Sequence, residues 1–175
     1  INEFKLFRCF IRLMSEQEGI IWRTAVTILI GVLRNLYEYL GLVLSMYMVD
    51  QVFNFESEEE LIIPGNRLST AIAVALLGFV PNVIFFLLEI GEVHMDISGK
   101  LREALTKHLF RKYMNYSSKS LEDVKLTDMV SSLTQDAAEV SAGYTRCLAM
   151  LRLAGQIFIG IYFTIEQNPS AWWVV

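Results

Sequence analysis

Arg34 and Glu38 stand one helical turn apart near the middle of an apolar run covering residues 24–49. Arg152 and Gln156 repeat that spacing inside a second run, residues 147–165, and Glu89 lies near the end of a third, residues 70–90. Carboxylates can do acid–base work, but only beside a nucleophile, a metal or another reacting group, and nothing of that kind accompanies these. Their chemistry is therefore electrostatic. If the runs cross a bilayer, a charge at its centre costs about 2.5–3.5 kcal/mol even on the lenient insertion scale. Arg34 and Glu38 must then pair with each other or face a polar cavity, and Glu89 should lie at about the depth of Arg152.

Other reactive side chains are sparse. Cys9 and Cys147 are far apart and show neither metal-type spacing nor a disulfide framework. They read as ordinary buried thiols. His94 and His108 have no Cys or carboxylate neighbours at ligand spacing. The chain carries no G-x-x-x-x-G-K-[ST] loop or other Gly-rich phosphate cradle. With no catalytic, cofactor-binding or metal constellation, the chain by itself does not read as an enzyme. A net charge of −4 also argues against a nucleic-acid partner, whose phosphates call for a basic surface.

The elements that would hold the charged residues are membrane helices. Hydrophobic residues make up 54% of the chain and charged ones only 19%, against about 25% in soluble domains, and the mean hydropathy is +0.41. That surplus has lipid as its simplest partner. Each of the three runs approaches or exceeds the roughly 20 residues that cross a hydrocarbon layer about 30 Å thick. The first is too long for a signal peptide and lacks a cleavage site. Pro81 inside the second is tolerable where a neighbouring helix satisfies the freed carbonyl.

Residues 1–23 form an interfacial segment. Phe4, Phe7, Ile11 and Met14 share one helical face and Lys5, Arg8 and Arg12 the other, as in a helix lying on headgroups; an amphipathic core helix has the same pattern. Residues 50–68 form a loop with an acidic run, Glu56 and Glu58 to Glu60, and the turn pair Pro64-Gly65. The helical pattern of the second span continues to Tyr113, which as one helix from Thr70 would be about 65 Å long. Glu103 and Lys107 are spaced for an i,i+4 pair. After a polar break the period resumes at Thr127, an expected N-cap, with Asp128 in the first turn. Met129, Leu133, Ala137, Val140, Tyr144, Leu148 and Leu151 form its stripe. Asn168-Pro169 caps a further helix, and the Trp172-Trp173 pair sits where an aromatic belt would lie. Opening on Ile1 and stopping inside an apolar run at Val175, the sequence reads as a piece of something longer: residues 24–175 form a partial transmembrane domain, with a fourth span starting near residue 170.

Basic residues set the orientation. Lys5, Arg8, Arg12 and Arg23 precede the first span, and eight more, from Lys100 to Arg146, lie between the second and third. The loop after the first span has only Arg67. The positive-inside rule places the N-terminus and the hairpin 91–146 in the cytoplasm. Both Cys9 and Cys147 then lie on the cytoplasmic side.

Two membrane helices that continue into the cytoplasm and meet at a short turn can carry a push from a soluble motor. Here the residues resemble a known family. Thr127-Asp128-Met129-Val130-Ser131-Ser132-Leu133-Thr134-Gln135-Asp136 resembles the G-E-L-x-S-R-L-T-x-D segment of ABC exporter transmembrane domains. Leu109-Phe110-Arg111, Met114, Leu121 and Glu122 resemble that family's L-F-x-x-L-x-x-Q followed by an aromatic-aromatic-Asp stretch. Thr127 replaces the family's Gly, Ser132 its Arg, Leu121 a usual Phe and Glu122 a usual Asp. The first two changes put a local turn geometry and one polar contact in doubt. The spacing of spans extends the resemblance over essentially the whole chain.

The resemblance implies an all-α, polytopic fold with long cytoplasmic extensions, the first three membrane helices and the start of the fourth of such a domain. It implies a role in ATP-driven transport. ATP and Mg would be bound on a nucleotide-binding domain outside this chain, and a second transmembrane half would complete the path for a substrate of unknown identity. Tyr116, Leu121, Glu122 and Asp123 fall where the family's first coupling helix lies; Leu121 would insert into a groove on the motor domain or pack back on its own hairpin. Arg34, Glu38, Glu89, Arg152 and Gln156 would line the substrate path, or form structural ion pairs between helices. A different class, a non-transporting membrane scaffold or channel subunit whose cytoplasmic hairpin binds a partner, explains the spans equally well and the two long extensions less well.

Overall fold

The computed structural model describes residues 5, 8, 10–12, 14, 17, 19–53, 61–117 and 125–169, and within them every regular element is helical. Helix α1 (Ile20–Tyr47) runs on through a wide π-type turn, Met48–Val52. Helix α2 (Arg67–Met95) is followed by α3 (Ile97–Met114). A short α4 (Leu126–Ser131) passes through a second π-type turn, Ser132–Asp136, into α5 (Ala137–Gln167). The stretches Ile20–Val52, Arg67–Met114 and Leu126–Gln167 are long and apolar enough to cross a membrane. The protein is thus an all-α, multi-pass membrane protein. Each of the three expected spans falls within one of these stretches. The acidic residues 56–60, the hairpin tip with Leu121, Glu122 and Asp123, and residues 170–175 with Trp172 and Trp173 lie outside the described residues.

Local chemistry explains the element boundaries. Ahead of α2, the Asn66 amide nitrogen donates to the Ile63 carbonyl at 3.3 Å and Gly65 has φ +77°. This is the tight turn that Pro followed by Gly favours, because Gly adopts positive φ freely. Asn66 then caps α2, its Oδ1 accepting from the Ser69 amide at 3.1 Å. Thr70, fully buried, donates its hydroxyl to the Asn66 carbonyl at 3.1 Å and so ties the turn to the helix.

The chain divides into two compact units, Ile1–Ile28 with His94–Met150, and Leu29–Val93 with Leu151–Val175. In the first, Met14, Ile20, Leu101 and Ala104 form a buried cluster edged by Phe10, Leu105 and Tyr144. The amphipathic N-terminal segment is helical at its described positions up to Met14, with Lys5, Arg8, Arg12 and Ile11 exposed and Met14 buried. At Met14, then, its apolar face packs on protein; Phe4, Phe7 and Cys9 lie outside the described residues. Gln17 contacts the His108 ring at 2.9 Å, and Thr24 and Tyr144 share a hydroxyl–hydroxyl bond of 3.0 Å.

Three local expectations need correction in this unit. The helix expected without interruption from Thr70 to Tyr113 breaks at Asp96, which has φ 39° and ψ 58°. Asp can enter that left-handed region because its short carboxylate bonds locally, here accepting from the Gly99 amide at 3.0 Å. A β-carbon at position 99 would collide with that carboxylate, so Gly99 leaves it room. The Arg23 guanidinium donates to the Met95 carbonyl at the end of α2. Second, Thr127 is not the cap: α4 starts at Leu126 behind Lys125, whose carbonyl accepts from the Asp128 and Met129 amides at 3.1 and 3.2 Å. Asp128 does sit in the first turn. Third, Glu103 pairs with Lys100 at 3.4 Å, one turn toward the N-terminus, and not with Lys107. The stripe of α4 and α5 buries Met129 and Ala137 and continues through Ser141, which bonds to Ser98 at 3.4 Å, while Val140 is exposed.

Candidate functional site

The second unit brings all five intramembrane polar candidates into one network. Helix α1 supplies Arg34 and Glu38, α2 supplies Glu89, and α5 supplies Arg152 and Gln156. Arg34 ion-pairs with Glu89 through its NH1, whereas its Nε lies 3.8 Å from Glu38. Arg152 NH2 donates to the same Glu89 oxygen at 3.1 Å. The Gln156 amide donates to both oxygens of Glu38, at 2.5 and 2.6 Å.

The pairing pattern differs from what spacing suggests. Within α1, Arg34 and Glu38 are close enough only for a loose contact, and the tight bonds all cross between helices. Glu89 is the hub, holding two guanidiniums with one oxygen. Two arginines and two glutamates leave the network formally neutral, which is how charges become tolerable in an apolar layer. The charged side chains are between 30 and 36% exposed, so the network is not sealed away.

Helix packing explains how the groups come within reach. Asn35, next to Arg34 and only 7% exposed, donates its amide to the Arg152 carbonyl at 3.2 Å. A β-carbon on Gly155 would collide with that amide nitrogen, and one on Gly31 would lie 3.8 Å from the Arg152 side chain. Small residues thus let α1 and α5 approach closely, the usual device of membrane helices. On α2, the Tyr37 hydroxyl donates to the Gly78 carbonyl, next to the carbonyl of residue 77 that Pro81 leaves without an amide partner. The Tyr37 ring also packs on Phe85 at 5.4 Å between centroids.

Beside the network lies a cavity of about 620 Å³. Arg34, Glu38 and Gln156 stand on its wall with Tyr37, Ser45 and Asn82, and the rest is small or apolar: Gly41, Leu42, Leu44, Met48, Val74, Ala75, Gly78, Ile159 and Gly160. Glycine costs a helix interior about 0.8–1.0 kcal/mol relative to Ala in water. At Gly41, Gly78 and Gly160 no atom lies within 4 Å of where a β-carbon would be, so no close contact requires the small residue. The arrangement can bind and orient a polar group by paired charges. It holds no nucleophile poised beside a base, and among the described residues no three His, Cys, Asp or Glu side chains gather as a metal would need.

Sequence reasoning passed over Asn35, Tyr37 and the glycines. The available signal for the α1–α5 approach was a polar Asn35 within an apolar run and a glycine, Gly155, within another, since membrane helices pair through small residues and interhelical amide bonds. Of the hairpin-tip candidates, Tyr116 is described: its amide closes a turn onto the Tyr113 carbonyl at 3.0 Å, and the two rings lie 6.1 Å apart. Cys147, expected to be a buried thiol, is instead free and exposed. Comparison of the chain with protein-family models, curated proteins and solved structures found no match in any of the three.

Proposed function

We propose that this chain forms part of the transmembrane domain of an ATP-driven transporter of the ABC exporter type, with its polar network on the wall of the substrate path. The observation that carries the reading is the placement of Arg34, Glu38 and Gln156 on the wall of a cavity among three long apolar helices. A network needed only to hold helices together gains nothing from bordering open space, whereas a path needs polar groups where a solute passes. The resemblance around residues 127–136 supplies the motor: a nucleotide-binding domain outside this chain, engaged by the hairpin tip near Tyr116 to Asp123.

A scaffold with a partner-binding hairpin is the second reading, and the internal charge balance of the network favours it. Transport separates the two. In the full-length protein with its nucleotide-binding domain, Leu121→Asp should leave expression and ATP binding intact while reducing substrate-stimulated ATP hydrolysis by about tenfold or more. A protein with no ATP-dependent flux and no effect of Leu121→Asp on hydrolysis would be a scaffold.

A further inference from the structure

The cavity wall carries more than a generic polarity. Arg34 and Glu38 are one helical turn apart on α1, so their β-carbons are about 5–6 Å apart. They present opposite charges side by side with a loose mutual contact of 3.8 Å; Arg34 is also ion-paired with Glu89 and Gln156 donates to Glu38, so a ligand's charges would add to those bonds. A purely anionic group drawn to Arg34 meets Glu38 as a like charge, and a purely cationic group drawn to Glu38 meets Arg34 in the same way. A group carrying both charges satisfies both walls. Away from these two residues the lining is largely aliphatic, with Leu42, Met48, Val74 and Ile159. The volume lies within the range of about 300–1,000 Å³ that holds one small ligand.

The glycines bear on the same point. A β-carbon on Gly155 would collide with the Asn35 side chain, so its small size serves helix packing, whereas one on Gly31 would make only an ordinary contact with Arg152. Gly41, Gly78 and Gly160, one from each helix, border the cavity and touch nothing where a side chain would stand. Gly91 and Gly143 are equally open but do not line this cavity. Any larger side chain at 41, 78 or 160 would favour the helix and reduce the space.

We propose that this cavity takes a single-chain amphiphile with a zwitterionic head, the anionic group of the head on Arg34, the cationic group on Glu38, and the chain along the aliphatic wall. The proposal rests on reading the cavity as part of a substrate path, and it adds the class of solute.

The test uses the full-length protein in nanodiscs and four probes with the same dodecyl chain, bearing phosphocholine, phosphate, trimethylammonium or maltoside heads. Each is measured by displacement of a fluorescent single-chain phosphocholine. The phosphocholine probe should bind about tenfold or more tightly than the other three. Glu38→Gln should erase its advantage over the phosphate probe, and Arg34→Gln its advantage over the trimethylammonium probe. Gly160→Leu and Gly41→Leu leave every charge in place and fill only open space, so both should fold and lose the specific binding. Equal affinity for the four heads, or undiminished phosphocholine binding in folded Gly160→Leu, overturns the proposal. Phosphocholine-selective binding without ATP-driven flux would count against the transport reading and uphold the head-group assignment. Flux of another solute that Gly160→Leu blocks, with no phosphocholine preference, would do the reverse.

Discussion

The backbone at Gly155 passes so close to Asn35 that no side chain fits between them without displacing the Asn35 amide. That amide donates across to the Arg152 carbonyl, one turn before Gly155 on α5. Gly155→Leu should therefore push α1 and α5 apart and cost about 1–3 kcal/mol through overpacking. Removing the obstacle should relieve part of the loss, so Gly155→Leu with Asn35→Ala should be less destabilised than the two single costs summed. Thermal unfolding in detergent reads the difference. Strict additivity would mean that the close approach does not limit packing at this crossing.

Glu89 should matter more than Glu38. It holds both Arg34 and Arg152, whereas Glu38 has Gln156 and only a loose arginine contact. Breaking a fully buried pair costs about 3–5 kcal/mol, and these side chains are about a third exposed, so Glu89→Gln should cost about 2–3 kcal/mol. Pairing it with Arg152→Gln leaves Arg34 and Glu38 in balance and should recover much of that loss. Abundance and thermal stability of the two single variants and the double variant decide it. Glu38→Gln proving more damaging than Glu89→Gln would contradict the hub assignment.

Much of this architecture is legible in the residues, and the limits have physical causes. Apolar runs about as long as the hydrocarbon layer is thick mark the three spans. Arg34, Glu38, Glu89, Arg152 and Gln156 stand out because a charge or amide there is expensive. Which of them bond is another matter. The spacing of Arg34 and Glu38 shows along one helix, but the tight partner of Arg34 is Glu89, 55 positions further along the chain. That depends on the register between helices, which no single helix encodes. Asn35 is undistinguished in the sequence because an amide near two charges gains meaning only from its contact with α5. Asp96 is hidden for a different reason: the apolar pattern continues across it, and a left-handed residue leaves no trace in periodicity.

That break yields its own prediction. Asp96→Ala removes the cap and keeps the unfavourable φ, and should destabilise the start of α3 by about 1–2 kcal/mol. Asp96→Gly also loses the cap but adopts the backbone conformation freely, so the change should be a few tenths of a kcal/mol at most. Hydrogen exchange at the Lys100 amide, which donates to the Asp96 carbonyl, should speed up in the alanine variant and change little in the glycine variant, while the Gly99 amide loses its side-chain acceptor in both. Equal behaviour of the two would show that the backbone conformation at Asp96 has no bearing on stability.

The transport reading requires open, polar-walled space among the apolar helices, and cysteine accessibility measures it directly. With Cys9 and Cys147 replaced by serine, single cysteines are placed at Gly41 and Gly160 on the cavity and at Phe86 and Phe158, exposed on the apolar surface. The full-length protein in proteoliposomes is treated with a small, charged, membrane-impermeant thiol reagent. Positions 41 and 160 should react at rates within about tenfold of an aqueous thiol, because their side chains enter a space walled by Arg34, Glu38 and Gln156. Positions 86 and 158 should stay unmodified, because a thiol in hydrocarbon is neither ionised nor reached by the reagent. Protection at 41 and 160 matching that at 86 and 158 would show that the network faces no aqueous path and that its charges serve only to hold the helices together.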